Sequence, residues 1–402
     1  MRAGWDVKEL GEVTIVGAGN SAPQKKELFI NGEFPFIRTS DVGKIRKGAI
    51  NSSFDYLNAE GIKKLKLFKK GTILFPKSGA STFLNHRVIM DIDGYVSSHL
   101  ATIKSKEILE DRFVWYYLIL IDAKDLMQDI AYPSLKLSDI KQIPISFPPL
   151  KEQQRIVAIL DKTFAAIEKA KANAEQNLKN ANELFESYLQ NVFSTKGEGW
   201  EEKTLEQISD VFGRGKSKHR PRNDKKLYGG KYPFIQTGDI RNCNHFVRSY
   251  SQTYNEVGLA QSKLWPKGTI CITIAANIAE TGVLDFDACF PDSVIGIVVN
   301  KKLADIDFVE YLLQSFKVNL QALSKGSAQD NINLGTFKDK MFPFPSVDEQ
   351  KIIVHKLNVL LAETKKLAAN YQQKLADLEE LKKSVLQKAF KGELKTEKEL
   401  IL

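Results

Sequence analysis

Two stretches of the chain carry an apolar stripe of helical period. In the first, Leu160, Phe164, Ile167, Lys171, Ala174, Leu178, Ala181, Phe185, Tyr188 and Val192 recur in alternating steps of four and three. In the second, the corresponding positions are Leu357, Leu361, Thr364, Ala368, Tyr371, Leu375, Leu378, Lys382, Val385 and Ala389. A 4-3 stripe held over four heptads is a coiled-coil signature, because a 3.5-residue repeat keeps one seam facing a partner helix. Neither stretch contains Pro or Gly, so each is predicted as one helix of about 42 residues, roughly 60 Å long at 1.5 Å per residue. Elsewhere the pattern changes. Short β-rich runs, such as Gly71-Thr72-Ile73-Leu74-Phe75 and Thr269-Ile270-Cys271-Ile272-Thr273-Ile274, are bounded by Gly, Pro and Asn. Helical stretches follow at about 111–129 and 305–323.

The two stripes belong to a larger repeat, with a period near 197 residues. Pro148-Pro149-Leu150-Lys151-Glu152-Gln153-Gln154-Arg155-Ile156 corresponds to Pro345-Ser346-Val347-Asp348-Glu349-Gln350-Lys351-Ile352-Ile353. Upstream, Phe34-Pro35-Phe36-Ile37-Arg38-Thr39-Ser40-Asp41 corresponds to Tyr232-Pro233-Phe234-Ile235-Gln236-Thr237-Gly238-Asp239, and Trp5 and Leu10 correspond to Trp200 and Leu205. A two-fold repeat of this length is too long for a solenoid unit. It predicts two similar mixed α and β domains, roughly 1–150 and 199–346, each followed by a long helix. The repeat is cyclic, since Phe390-Lys391-Gly392-Glu393 matches the segment that leads into Trp200. A pseudo-two-fold molecule follows as the expectation. Its helices pair antiparallel within the chain, with the globular parts at opposite ends of the rod; a homodimer through the same stripes is the alternative.

Composition narrows the class. The 402 residues are 43% hydrophobic and 27% charged, which excludes global disorder. The apolar run Phe113 to Ile121 falls well short of the ~18 residues of a membrane span, and Met1-Arg2-Ala3-Gly4-Trp5-Asp6 lacks an apolar signal core. Three cysteines without a close-spaced pair fit a reducing, cytoplasmic setting and no disulfide framework. Cys243 and His245 could open a metal site, but no second close pair follows, so no metal is expected.

Lys and Arg number 58 against 49 acids, a net charge of +9, and the excess is uneven. Residues 61–77 hold six lysines and no acid, and residues 213–231 hold eight basic residues against Asp224 alone. Like charges this dense predict an anionic partner, with a solvated loop as the alternative.

Catalytic motifs fail on context. Val16-Gly17-Ala18-Gly19-Asn20-Ser21-Ala22 fits a dinucleotide fingerprint, but no helical period follows. Its repeat mate, Gly213-Arg214-Gly215-Lys216-Ser217, lacks the first glycine of a P-loop. Both read instead as flexible Gly and basic loops suited to a phosphate backbone. Phe147-Pro148-Pro149-Leu150 is not an amino-methyltransferase tetrapeptide, and the nuclease-like Asp93 with Asp122-Ala123-Lys124 has no counterpart in the second half. No catalytic residue is assigned, and a binding scaffold is expected.

These blocks resemble the specificity subunit of type I restriction–modification enzymes. The carriers are Pro149-Leu150-Lys151-Glu152-Gln153-Gln154-Arg155-Ile156 with its second copy, the opening Trp block, the Pro-Phe-Ile-x-Thr-x-Asp strand, and Gly326-Ser327-Ala328-Gln329-x-Asn331-Ile332. The first domain departs from the last of these, with Ile130-Ala131-Tyr132-Pro133-Ser134 in its place. The resemblance implies an α+β fold of two target-recognition domains, 1–150 and 196–346. A central coiled-coil helix (151–195), a distal one (347–395) and a tail (396–402) complete it. It also implies that each domain reads one half of a split site on double-stranded DNA, while the antiparallel helices set the gap. Two methyltransferase subunits would dock on those helices, and restriction/translocase subunits would join. S-adenosylmethionine, ATP and Mg would reside in those partners, with no cofactor in this chain. A structural coiled-coil adaptor and a stand-alone DNA-binding protein are the alternatives.

The candidate DNA contacts are basic and amide side chains in loops. In the first domain they are Lys25, Lys26, Arg38, Lys77, Ser78, Ser81 and Tyr132; in the second, Arg214, Lys216, Lys218, Arg220, Arg222, Gln236, Asn277, Gln329 and Asn331. Arg, Gln and Asn can contact bases bidentately, whereas Lys mostly holds phosphate. Asp41 and Asp239 are expected to cap or turn the chain.

Overall fold

The computed structural model describes residues 4–127, 134–195, 197–275, 278–325 and 334–394. The helices that matter here are α1 (Thr39–Ile45), α2 (Asp111–Leu120), α3 (Leu150–Ser194), α4 (Thr237–Arg241), α5 (Ile306–Lys325) and α6 (Val347–Lys391). The chain divides into two compact units: Met1–Asn173 with Lys374–Leu402, and Ala174–Gln373. Each long helix contributes to both.

Among the described residues, the first unit holds a five-stranded sheet in the order Thr14–Ala18, Leu100–Ser105, Ile73–Pro76, Arg87–Met90, Lys47–Ile50. A three-stranded sheet runs Asp55–Leu57, Phe34–Ile37, Tyr95–Val96. The second unit repeats the plan. Its five-stranded sheet runs Ser209–Arg214, Val294–Val299, Ile270–Thr273, Thr281–Leu284, Phe246–Val247, beside a four-stranded one with Gln252–Tyr254 next to Tyr228–Phe234. The register repeats too. Phe36 lies opposite Asp55 and in parallel register with Tyr95, and Phe234 lies opposite Gln252 and in parallel register with Cys289.

The Pro-Leu-x-Glu-Gln block acts where each domain meets its long helix. Gln153 and Gln350 are both fully buried near the start of α3 and α6. Gln153 accepts from the Glu110 amide (2.9 Å) and donates to the Ile108 and Pro148 carbonyls (3.0 and 2.8 Å). Gln350 accepts from the Asp305 amide (2.8 Å) and donates to the Pro345 carbonyl (2.9 Å). A glutamine amide can satisfy a donor and an acceptor at once, so one side chain ties the long helix to the turn that precedes the domain's own helix. The tie recurs about two turns on: Tyr116 of α2 donates to Asp161 (2.5 Å), and Tyr311 of α5 donates to Asn358 (2.6 Å).

In the first unit the long helices run antiparallel, since Glu168 pairs with Lys382 and Lys171 with Glu379, each at 2.6 Å. Leu160, Phe164, Ile167, Ala174, Ala181 and Phe185 are buried on α3, and Leu178 is half-buried. On α6, Leu357 is buried, and Leu361, Tyr371, Leu375 and Leu378 are half-buried. The stripe departs from the heptad at its end. Leu189 and Phe193 are buried, while Tyr188 is exposed and Val192 only half-covered. From Phe185 onward α3 lies on a domain helix, with ring contacts Phe185–Tyr311 (6.0 Å) and Phe193–Phe308 (5.3 Å). There the apolar face advances in steps of four, as packing on a globular core allows, and not in the 4-3 steps of a two-helix seam.

Three other expectations change. The helix predicted over 111–129 ends at Leu120, because Ile121 is extended and Asp122 starts a new turn by accepting from the Lys124 amide (2.9 Å). The glycine-rich segments are not flexible loops: Thr14–Ala18 and Ser209–Arg214 are sheet strands. A Cβ at Gly19 would stand 2.3 Å from the Val96 and Ser97 carbonyl oxygens, and one at Gly215 2.3 Å from that of Phe290. The glycines serve close backbone approach. Several lysines of 61–77 are neutralised locally: Lys63 pairs with Glu60, Lys69 with Asp93 and Lys70 with Asp91.

Candidate nucleic-acid interface

In the second unit the basic loop closes on one carboxylate that the charge pattern did not single out. Arg222 donates to both Asp292 carboxylate oxygens (2.7 and 2.9 Å), Arg220 stands 4.0 Å from it, and the Arg214 Nε donates to the Asp292 carbonyl (2.7 Å). Arg220 also donates to the Ser217 carbonyl (2.6 Å), and Tyr228 donates its hydroxyl to the Arg222 carbonyl (2.6 Å). His219 meets Asp224 at 2.8 Å, and the Lys226 amide together with this ring holds the Asp224 carboxyl below its ordinary value. The loop is therefore a fixed frame. Arg214, Lys216, Lys218, Arg220 and Arg222 all remain exposed on it.

Beside this frame lies a cleft of about 660 Å³ whose lining includes Arg222, Lys225, Tyr228, Phe234, Gln236 and Gln252. Gln236 stands at the N-terminus of α4, where its amide donates to Asp239 (2.8 Å). Its side chain donates to Gln252 Oε1 (2.8 Å). The floor is aromatic, with Phe234 stacked on Tyr254 at 4.1 Å.

The first unit builds the same corner from other residues. The Arg38 amide donates to Asp41 (2.8 Å) at the start of α1, so Asp41 and Asp239 both cap as expected. The Arg38 Nε donates to Asp55, and its guanidinium lies 5.2 Å from the Phe36 ring. Lys25 and Lys26 are exposed nearby in sequence. Lys77 is held by its backbone, which accepts from Leu135 (2.8 Å) and donates to His99 (3.0 Å). Ser78 bonds the His99 ring (2.8 Å), and Ser81 donates to the Ser78 carbonyl (3.2 Å), which ties both hydroxyls into a local turn. Tyr132, Asn277, Gln329 and Asn331 lie outside the described residues.

Reactive chemistry is muted here. Cys271 and Cys289 are buried, and burial raises both thiols; Cys243 is pushed up to about 11. His245 is instead locked between two carboxylates, Glu310 (2.8 Å) and Asp307 (3.0 Å), with Glu310 fully buried. Among the described residues no group of three His, Cys, Asp or Glu could hold a metal ion, and no helix is long and apolar enough to cross a membrane.

Asp55, Gln252 and Asp292 were missed in the sequence because none stands in the blocks that carry the repeat most clearly; the signal that could have found the first two is Asn58 and Asn255, which match at the same period three residues on. The strand register, Phe36 opposite Asp55 and Phe234 opposite Gln252, shows two of them to be equivalent, in keeping with their spacing of one repeat period.

One α/β plan thus occurs twice, once in each unit, with a fixed cationic frame in the second unit and an arginine–carboxylate pair at the equivalent corner of the first. The model of the type I restriction modification DNA specificity domain matches twice, over residues 2–176 and 197–377, and the chain belongs to that family. The MjaIX specificity subunit of Methanocaldococcus jannaschii is 32% identical over 169 residues, which is 41% of this chain and 38% of that protein. The putative MjaX specificity subunit of the same organism is 22% identical over 89% of this chain and 86% of its own length. Among solved structures, the HsdS subunit from Thermoanaerobacter tengcongensis superimposes with a TM-score of 0.67 at 21% identity, covering 98% of each chain. A structure described as the basis of complex assembly and conformational transition of the type I R-M system gives 0.76 at 20% identity, over 98% of this chain and 99% of that one.

Proposed function

We propose that this chain is the sequence-specificity subunit of a type I restriction–modification enzyme, a recognition component without a catalytic step of its own. Each unit reads one half of a split site on double-stranded DNA. The observation that carries the reading is the duplication itself: one fold twice, with the same corner built from Arg38 and Asp55 in one copy and from Gln236 and Gln252 in the other. Identical copies would suit a palindrome, whereas unlike copies suit two unlike half-sites. Fixed arginines and lysines supply phosphate contacts that set orientation, and amide and guanidinium groups supply base contacts.

The long helices set the gap between half-sites and dock methyltransferase subunits, with a restriction/translocase subunit joining them. Exposed Leu184, Ile352, Val359, Leu367 and Leu381 support docking, because solvent-facing apolar residues repeated along a helix suit a protein partner. S-adenosylmethionine, ATP and Mg belong to those partners, and the cell compartment is the cytoplasm.

Methylome sequencing of a host with and without this chain tests the reading. Deletion should erase one split methylation motif and leave all others. An unchanged methylome would overturn it.

A further inference from the structure

The corner that recurs in both units places two polar side chains side by side at equivalent positions. Position 236 follows the Phe234 strand and caps α4; position 38 follows the Phe36 strand and caps α1. Their partners, Gln252 and Asp55, sit opposite Phe234 and Phe36 in the neighbouring strand. The scaffold is therefore the same, and only the polar groups differ.

Those groups differ in a way that matches the major-groove code. In an amide–amide hydrogen bond one carbonyl and one NH₂ are always left over, whichever partner donates. The Gln236–Gln252 pair thus offers a free acceptor together with free donors. An A·T pair presents acceptor, donor and acceptor (A N7, A N6, T O4), which that set complements. The Arg38–Asp55 ion pair leaves guanidinium donors and a carboxylate oxygen free, with side chains 38% and 25% exposed. A G·C pair presents two acceptors and a donor (G N7, G O6, C N4), the complement of two donors and an acceptor. Crossing the sets fails: a glutamine carbonyl would meet G O6, and the Asp55 carboxylate would meet T O4. The cleft lined by Gln236 and Gln252 is open enough for a base edge, and Arg222 and Lys225 on its wall suit the flanking phosphates.

We propose that these two residue pairs are base-reading pairs, Gln236–Gln252 reading an A·T pair in one half-site and Arg38–Asp55 a G·C pair in the other. The assignment rests on the specificity-subunit reading and adds the residues that carry one letter of each half. Asp55 and Gln252 act with the residue they bond, so neither position is read alone.

The test is selection of duplexes by the full-length chain from a randomised pool, followed by sequencing. The double variant Gln236→Arg with Gln252→Asp should replace one A·T by G·C in one half-site, with a preference of roughly tenfold or more. The other half-site should stay as it was, and its enrichment reports a folded chain. Arg38→Gln with Asp55→Gln should make the reverse change in the other half. The uncharged Gln236→Leu with Gln252→Leu should flatten preference at that one position. An unchanged motif in these variants, or selectivity lost across a whole half-site, would overturn the assignment and leave the specificity reading standing. Failure of the unaltered chain to enrich any split motif would overturn both.

Discussion

Gln153 and Gln350 sit at the same step of the repeat and make the same kind of tie, so they can be tested against each other. Gln350→Ala strands the buried Asp305 amide and Pro345 carbonyl, which costs on the order of 2–4 kcal/mol. Denaturant unfolding should show the loss in the second unit, and Gln153→Ala should show it in the first. His245 sets a pH limit on the second unit. Burial alone would depress its pKa, but the hydrogen bonds to Asp307 and Glu310 outweigh this and raise it from 6.5 to about 9. The folded value lies above the unfolded one, so the contribution is complete below pH 6.5 and is lost as pH rises through about 9. Unfolding at pH 6, 7.5 and 9 should show stability of the second unit falling by a few kcal/mol, and His245→Gln should remove most of that slope. Much at this scale was legible. Arg38 and Gln236 were visible as polar residues after a repeated strand. Asp55 and Gln252 were not, because the chain travels 17 and 16 residues before the strand register brings them back. The lysines of 61–77 looked unpaired for the same reason: Asp91 and Asp93 neutralise two of them from farther along the chain.

Elements were more legible than residues. The long helices, their seam and their antiparallel sense followed from period and repeat, because a stripe of 42 residues integrates many weak signals. Errors lay where a helix changes partner or a single capping group intervenes. Leu189 and Phe193 replace Tyr188 and Val192 once α3 reaches α5, and Asp122 ends α2 early. The seam also allows a test of the helices as a spacer. Seven residues inserted after Leu178 in α3, matched by seven near Leu375 in α6, add two turns, about 10 Å. That equals about three base pairs at roughly 3.4 Å each. The face of the stripe is preserved, whereas insertions of three or four residues rotate it. The methylated motif of the seven-residue variant should keep both half-sites and gain about three base pairs in the gap. A fixed gap with methylation intact would leave the helices a docking role alone.

At the scale of the whole molecule, charge governs affinity. A net +9 spread over two units, with about six phosphate contacts, predicts a slope near −5 in log affinity against log salt, or roughly a thousandfold loss between 50 and 200 mM. Fluorescence anisotropy on a long duplex measures it. Arg222→Glu should flatten that slope by about one and weaken binding, because the new carboxylate would face Asp292. A different consequence follows from the discontinuity of the first unit. Its core includes Leu386 and Ala389, and Phe390 lies 4.9 Å from Phe113. During translation that unit therefore waits until the residues after Gln373 have been made, while Ala174–Gln373 is contiguous and can fold as it emerges. The usual order, in which the N-terminal domain folds first, is reversed. A nonsense mutation just after Gln373 should accordingly cripple the half of the protein made first and spare the half made second. Limited proteolysis of the truncated chain would show it as a resistant fragment from the middle of the sequence, with residues before Asn173 degraded.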